Sequence, residues 1–294
     1  MHTQGRPIRT PTRDGRHLYA MMLPGPGSRT NQEAPVPTVV FEAGSAATRS
    51  TWALVQPRVA EFAPAVVYDR AGLGRSESDP AGRTLERMAD DLNDLLDGLG
   101  TGPFILVGHS AGGPIVRLAA SRRPDRIFGI VLVDPTDEAA DLLFRLPFRL
   151  GEKIALGGAW LLARLGLFER MFRFMGEGMP DDVREDLRRE AFLPSVVRTQ
   201  RQQARTYLTE LHAWQEHPPE LGEIPVTVIS GGLTTGSDGM PRRIRDASNA
   251  AAAHRAAQSP HGRHVIAEHS GHLIPLSEPA LIAEQIRQIG RDTR

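Results

Sequence analysis

The chain contains no cysteine, and that absence removes several kinds of chemistry at once. Without thiols there is no disulfide framework, no thiolate nucleophile and no cysteine metal site. Lysine is nearly absent too: Lys153 stands alone, so Schiff-base or lysine-base chemistry has little to work with. No pair of histidines at helical spacing with a nearby carboxylate reads as a metal ligand set. Aromatic residues make up 5% of the 294 positions, and the 35 basic side chains are matched by 35 acidic ones. A balanced charge gives no reason to expect a nucleic-acid partner or a strongly charged substrate. No uninterrupted apolar stretch reaches the length of a membrane span, and the opening Met-His-Thr-Gln-Gly-Arg lacks the apolar core of a signal peptide. With cysteine absent as well, the expected location is the cytoplasm.

What the chain does have is alternation of strand and helix patterns. Ile8–Thr12 and Arg16–Leu23 flank an Asp14-Gly15 turn and read as an antiparallel pair. Residues 24–37, rich in Pro and Gly, read as a surface loop. Thr38–Phe41 and Ala65–Tyr68 read as strands, with a helix around Trp52–Phe62 between them. Thr84–Leu99 carries Leu85, Met88, Leu92, Leu95, Leu96 and Leu99 at helical spacing. Ile105–Val107, Ile130–Val133, Val226–Ile229 and Val265–Ala267 complete a mostly parallel sheet covered on both faces. The length allows one such α/β domain with an insertion.

The most informative stretch is Pro103–Gly113, an apolar run ending in Gly-His-Ser-Ala-Gly around Ser110. The run suits a strand buried on both faces, and Pro114 onward reads as a helix. A serine on so tight a turn presents its hydroxyl at the sheet edge, beside the outward N–H groups of a helix N-terminus. The plainer alternative is that Ser110 only caps that helix.

A base is available near the other end. A strand over 264–268 is followed by His269-Ser270-Gly271-His272, and Ser277-Glu278-Pro279 then opens an amphipathic helix with Leu281, Ile282, Ile286 and Ile289 on one face. Gly271 allows the tight loop that would bring His272 to the serine, which favours it over His269. His109 reads as a locally packed residue, and His261 and His264 read as solvated.

With these motifs in order, together with Val39–Gly44 and Tyr68-Asp69-Arg70-Ala71-Gly72-Leu73-Gly74, the chain resembles the α/β-hydrolase-fold serine hydrolases of esterase and lipase type. The resemblance covers nearly everything except residues 137–221. It implies an eight-stranded, mostly parallel sheet flanked by helices, made of residues 1–136 and 222–294. Residues 137–221, rich in Leu, Phe and Met with arginines interleaved, would form a helical cap inserted between strands 6 and 7. Phe144, Trp160 and Phe172 are the candidates for an apolar pocket wall beneath it. A contact between this basic, apolar cap and a membrane surface is the less favoured reading of the same segment.

The resemblance also implies the remaining parts. The backbone N–H groups of Ser45 and Ala111 would stabilise an oxyanion, although the family's usual histidine is replaced by Ala43-Gly44. Asp69 and Arg70 read as a structural ion-pair or turn network beside the site. The triad acid is ambiguous: Asp134 follows strand 6 directly, whereas Asp238 lies in the loop after strand 7, the commoner place. The rigid strand end favours Asp134, because a triad acid must fix a histidine tautomer. Asp137 and Glu138 stand outside this choice. The expected activity is cofactor-free hydrolysis of a small-molecule ester with an apolar acyl or alkyl part, through Ser110, His272 and Asp134. A perhydrolase, a carbon–carbon bond hydrolase and a slow-turnover ligand receptor share these parts and stay open.

Overall fold

The structure, a computed structural model, describes residues 1–26, 36–236 and 238–292. The surface loop read at 24–37 therefore lies largely outside the described residues. Eight strands form one sheet: β1 (Arg6–Pro11), β2 (His17–Leu23), β3 (Thr38–Glu42), β4 (Ala65–Tyr68), β5 (Phe104–His109), β6 (Ile127–Val133), β7 (Val226–Gly231) and β8 (Arg263–Ala267). Their order is β1-β2-β4-β3-β5-β6-β7-β8. The first two pairings, β1 with β2 and β2 with β4, are antiparallel; all the others are parallel.

The apolar run of β5 follows from its place at the centre of the sheet. Phe104 and Leu106 pack into the core on one face, Ile105 and Val107 into the core on the other. A strand covered on both sides needs apolar residues at every position rather than at alternate ones. The helix read at 84–99 spans Leu85–Leu99, and the Thr84 side chain accepts a hydrogen bond from the Arg87 amide at 3.2 Å as its N-cap. The helix expected around Trp52–Phe62 is shorter, a 3-10 turn at Arg49–Trp52 followed by Gln56–Ala60.

Between β6 and β7 the described residues carry helices and no strand, the longest at Leu146–Arg164, with others at Asp181–Glu190, Pro194–Gln203 and Tyr207–Ala213. This segment is tied to the sheet by buried polar contacts. Arg49 pairs with Asp69 at 2.6 Å, Asp186 at 2.5 Å and Glu190 at 2.5 Å. The Thr199 hydroxyl donates to the Gly72 carbonyl at 3.0 Å, and the Tyr207 hydroxyl to the Ala111 carbonyl at 3.1 Å. Arg117 and Arg255 close a second buried network with Asp137 and Glu138, which accounts for both carboxylates away from any catalytic position.

Candidate active site

The site is assembled at the carboxyl ends of the parallel strands, where β5, β6 and β8 each deliver one side chain. After β5 the chain turns sharply at Ser110, whose φ of 52° is left-handed, a conformation that costs a non-glycine residue about 1 kcal/mol or more. The surroundings hold it there. The Ser110 amide donates to the Val133 carbonyl, and the Ser110 carbonyl accepts from the Gly113 and Thr136 amides, each at 3.0 Å. Asp134, directly after β6, has the same handedness at φ 42°.

His272 bridges the two. Its Nε2 lies 3.0 Å from the Ser110 Oγ and its Nδ1 lies 2.6 Å from the Asp134 Oδ2. The other carboxylate oxygen of Asp134 accepts from the Gly231 amide at 3.1 Å and from Arg245 at 2.5 Å. Burial raises the Asp134 pKa, but the hydrogen bond from His272 and the charge of Arg245 outweigh it and hold the group down at about 2. Asp134 is therefore a carboxylate at neutral pH. It accepts the Nδ1 proton and leaves Nε2 as an acceptor facing the serine.

Asp238 has a different place. Its carboxylate accepts the amides of Gly271 at 3.0 Å and Leu273 at 3.2 Å, and its carbonyl accepts the His272 amide at 2.9 Å. It clamps the backbone on both sides of His272 and does not reach the ring. His269 is exposed and offers its amide to Glu278. His109 is buried against the site: its ring centroid is 4.8 Å from that of His272, and its Nε2 donates to the His272 carbonyl at 2.9 Å. Burial pushes its pKa down to about 3, so the ring stays neutral. His264 departs from the solvated reading. It is half-buried, and its Nε2 lies 2.9 Å from the Ser230 hydroxyl because β8 sets it beside the end of β7.

The loop after β3 faces the serine from the other side. A Cβ at Gly44 would come within 3.0 Å of the His109 ring and 3.3 Å of the Ser110 Cβ, so a side chain there would have to push its neighbours aside and glycine eases this close approach. Arg70 fixes the loop. Its guanidinium donates to the carbonyls of Ala43 and Gly44 and to the carboxylate of Glu42, which also accepts the Tyr68 hydroxyl. Asp69 and Arg70 thus belong to separate networks, Asp69 pairing with Arg49. The amides of Ser45 and Ala111 make no hydrogen bond to another group among the described residues, and both residues border the cavity above Ser110.

That cavity has a volume of about 190 Å³, below the roughly 300–1,000 Å³ of sites that enclose drug-sized ligands. Leu143, Phe148, Leu156 and Leu208 supply apolar walls, and Glu152, Gln200 and Gln203 supply polar ones. Phe144, Trp160 and Phe172 are not among its walls. Phe144 packs edge-on against His212, Trp160 lies under the Arg164 guanidinium, and Phe172 packs with Phe168 and Phe174. For Trp160 the reason is helical periodicity: Phe148, Glu152 and Leu156, four apart, share the inward face of Leu146–Arg164, and the drift of about 40° per four residues turns Trp160 away at its end. Gln203 is 3% exposed and its side chain has no hydrogen-bond partner among the described residues. Burial also raises the pKa of Glu152.

The fold defines a class, and comparison with known proteins places the chain in it. A sequence model of the alpha/beta hydrolase family matches residues 39–285, and the chain belongs to that family. Protein YqjL of Bacillus subtilis is 35% identical over 99 residues, which are 33% of this chain and 39% of that protein. The chain thus matches little more than a third of the length of this curated relative. Among solved structures, epoxide hydrolase CorEH superposes with a TM-score of 0.73 at 19% identity, covering 98% of this chain and 99% of that one. A thermophilic esterase from Thermogutta terrifontis does so with a TM-score of 0.65 at 22% identity over 98% and 99%. Likeness at these identities speaks for the fold alone.

Proposed function

We propose that the chain is a serine hydrolase that cleaves small carboxylic esters through an acyl-enzyme, with Ser110 as nucleophile, His272 as base and Asp134 as acid. The observation that carries this reading is the unbroken chain of hydrogen bonds from Ser110 to His272 to Asp134, at 3.0 and 2.6 Å, opening onto a cavity bordered by two free amides. Ser110 Oγ attacks the ester carbonyl as its proton passes to His272 Nε2. The developing oxyanion is received by the amides of Ser45 and Ala111, a contribution of several kcal/mol in the transition state. His272 then gives the proton to the leaving alcohol, and a water deprotonated by the same nitrogen releases the acid. Arg245 and the Gly231 amide keep Asp134 charged and oriented throughout.

Residues 137–221 act as a cap in this reading, and the size of the cavity under Phe148 and Leu156 points to short acyl groups. Opening an epoxide in this fold would call for an aspartate nucleophile, and a serine in that position argues against it. Steady-state hydrolysis of p-nitrophenyl acetate and butyrate, with labelling by a serine-directed phosphonate, tests the proposal. Turnover that is lost in Ser110→Ala and a single label on Ser110 are expected. Tight binding of the esters with negligible turnover would instead indicate a receptor.

A further inference from the structure

The helix Leu146–Arg164 has a second, outward face. Leu146, Leu150, Ile154, Leu161 and Leu165 are each between 54% and 82% exposed. At about 100° of rotation per residue, these five fall within an arc of roughly 100° on the helix, with Gly157 filling the gap between them. Phe148, Glu152 and Leu156, which line the cavity, lie on the opposite side. The outer apolar stripe is therefore not needed to cover the active site, and no described side chain covers it. Leu167 and Met171 continue it past the helix end, exposed as well.

Charge selects the occupant of this face. Arg145, Arg149, Lys153 and Arg164 are all exposed along the helix, and the single acidic residue between 145 and 165, Glu152, faces the cavity. We infer that this stripe docks the enzyme on an anionic lipid surface, with the helix lying in the plane of the headgroups. Apolar side chains bordered by arginine and lysine suit that environment, where the long basic side chains reach the phosphates while the leucines enter the acyl boundary. No described helix is long and apolar enough to cross a membrane, so the attachment is to one leaflet. At the same rotation per residue the exposed basic positions lie along one edge of the stripe, and an antiparallel two-fold pairing with a second copy would set those like-charged edges against each other, which disfavours that occupant.

The test is flotation of the full chain with vesicles of phosphatidylcholine alone or mixed with phosphatidylglycerol. The wild type should float with the mixed vesicles, weakly with phosphatidylcholine alone, and less as salt screens the charges. The double variant Leu150→Glu, Ile154→Glu should lower the bound fraction about tenfold or more, because two anchors are replaced by charges repelled from the surface. Both substitutions lie outside the catalytic machinery, so turnover of soluble p-nitrophenyl acetate should be unchanged in the same samples and reports that the variant is folded. A wild type that stays unbound with anionic vesicles, or a double variant that floats equally well, overturns the inference. So does a concentration-dependent dimer abolished by the double variant without any vesicle binding. Because hydrolysis of the soluble ester is read separately, loss of docking and loss of the proposed activity are distinguishable.

Discussion

Replacing Asp134 by Asn keeps the shape of the side chain and reverses its effect on His272. The Oδ1 position faces two donors, the Gly231 amide at 3.1 Å and Arg245 at 2.5 Å. An asparagine must therefore turn its oxygen toward them and its NH2 toward the His272 Nδ1, now 2.6 Å from a carboxylate oxygen. Nδ1 then has to be unprotonated, and the ring proton moves to Nε2, where it points at the Ser110 hydroxyl. A base that already carries its proton on the reacting nitrogen cannot accept another. The expected cost is on the order of ten-thousand-fold in kcat, equivalent to about 5.5 kcal/mol. Asp238→Asn is the control. It keeps an oxygen for the Gly271 and Leu273 amides and loses only the charge, so kcat should fall less than about tenfold while the melting temperature drops by a few degrees. The assay is steady-state hydrolysis of p-nitrophenyl acetate, with thermal melting of each variant. A folded Asp238→Asn that loses more activity than Asp134→Asn would refute the assignment and the tautomer argument with it.

Ser110→Ala should reduce kcat about a million-fold, and mass spectrometry should find no phosphonate adduct on the variant; retained activity would remove the nucleophile from the proposal. His109 should make the protein acid-sensitive. Its folded pKa of about 3 lies below the ordinary value near 6.5, so between these pH values the unfolded chain binds a proton that the native state refuses. Stability should then fall as pH drops through that window, by up to about 1.4 kcal/mol per unit, and His109→Asn should flatten the acid limb of a melting-temperature profile; an unchanged slope would place the cause elsewhere. Phe148→Ala should shift preference from acetate toward longer esters, by roughly fourfold per methylene accommodated at about 0.8 kcal/mol, whereas Phe172→Ala should leave the ratio unchanged. Arg70→Lys should lower kcat with little change in the Ser110 labelling stoichiometry, because one ammonium cannot reproduce a guanidinium shared by two carbonyls and a carboxylate.

The sheet was legible because its strands are buried on both faces and its helices are amphipathic, two patterns that survive in one dimension. β4 begins and ends where the apolar run Ala65–Tyr68 does, and the helix after it starts at the leucine that follows its capping threonine. Ser110 and His272 were legible for a related reason: Ser110 lies between Gly108 and Gly112 at the end of an apolar run, where a strand must turn, and His272 follows Gly271 in the loop after the last strand. The pocket was not legible. Composition shows that residues 137–221 are apolar, but it does not say which face of each helix looks inward, and Phe144 is displaced from the cavity by one residue relative to Leu143. The partners of Asp134 were hidden as well. Nothing in the helix Arg242–Ala257 distinguishes Arg245 from Arg242 or Arg243 before the fold buries it.

The same buried arginines explain how loops with no regular hydrogen-bonding pattern are held still enough for chemistry. Each loop of the site ends on a strand, but the strand fixes only its first residue. Arg70 binds the carbonyls of the loop after β3, Arg245 binds the Asp134 carboxylate after β6, and Arg49 joins Asp69 to the helix Asp181–Glu190. A planar guanidinium can satisfy several acceptors at once with fixed geometry, and a lysine cannot. Removing such a group would leave buried carbonyls and carboxylates unpaired, at about 1–3 kcal/mol or more for each. The loop after β8 is fastened differently, by the Asp238 clamp, the His109 contact and the Ser270 carbonyl, which accepts the Gly232 and Leu233 amides. His272, like Ser110, is thus held mainly through its backbone, and its ring is constrained by the two hydrogen bonds that define the proposed triad. In the proposed mechanism such a ring exchanges protons between Ser110 and the leaving group without its own loop having to move.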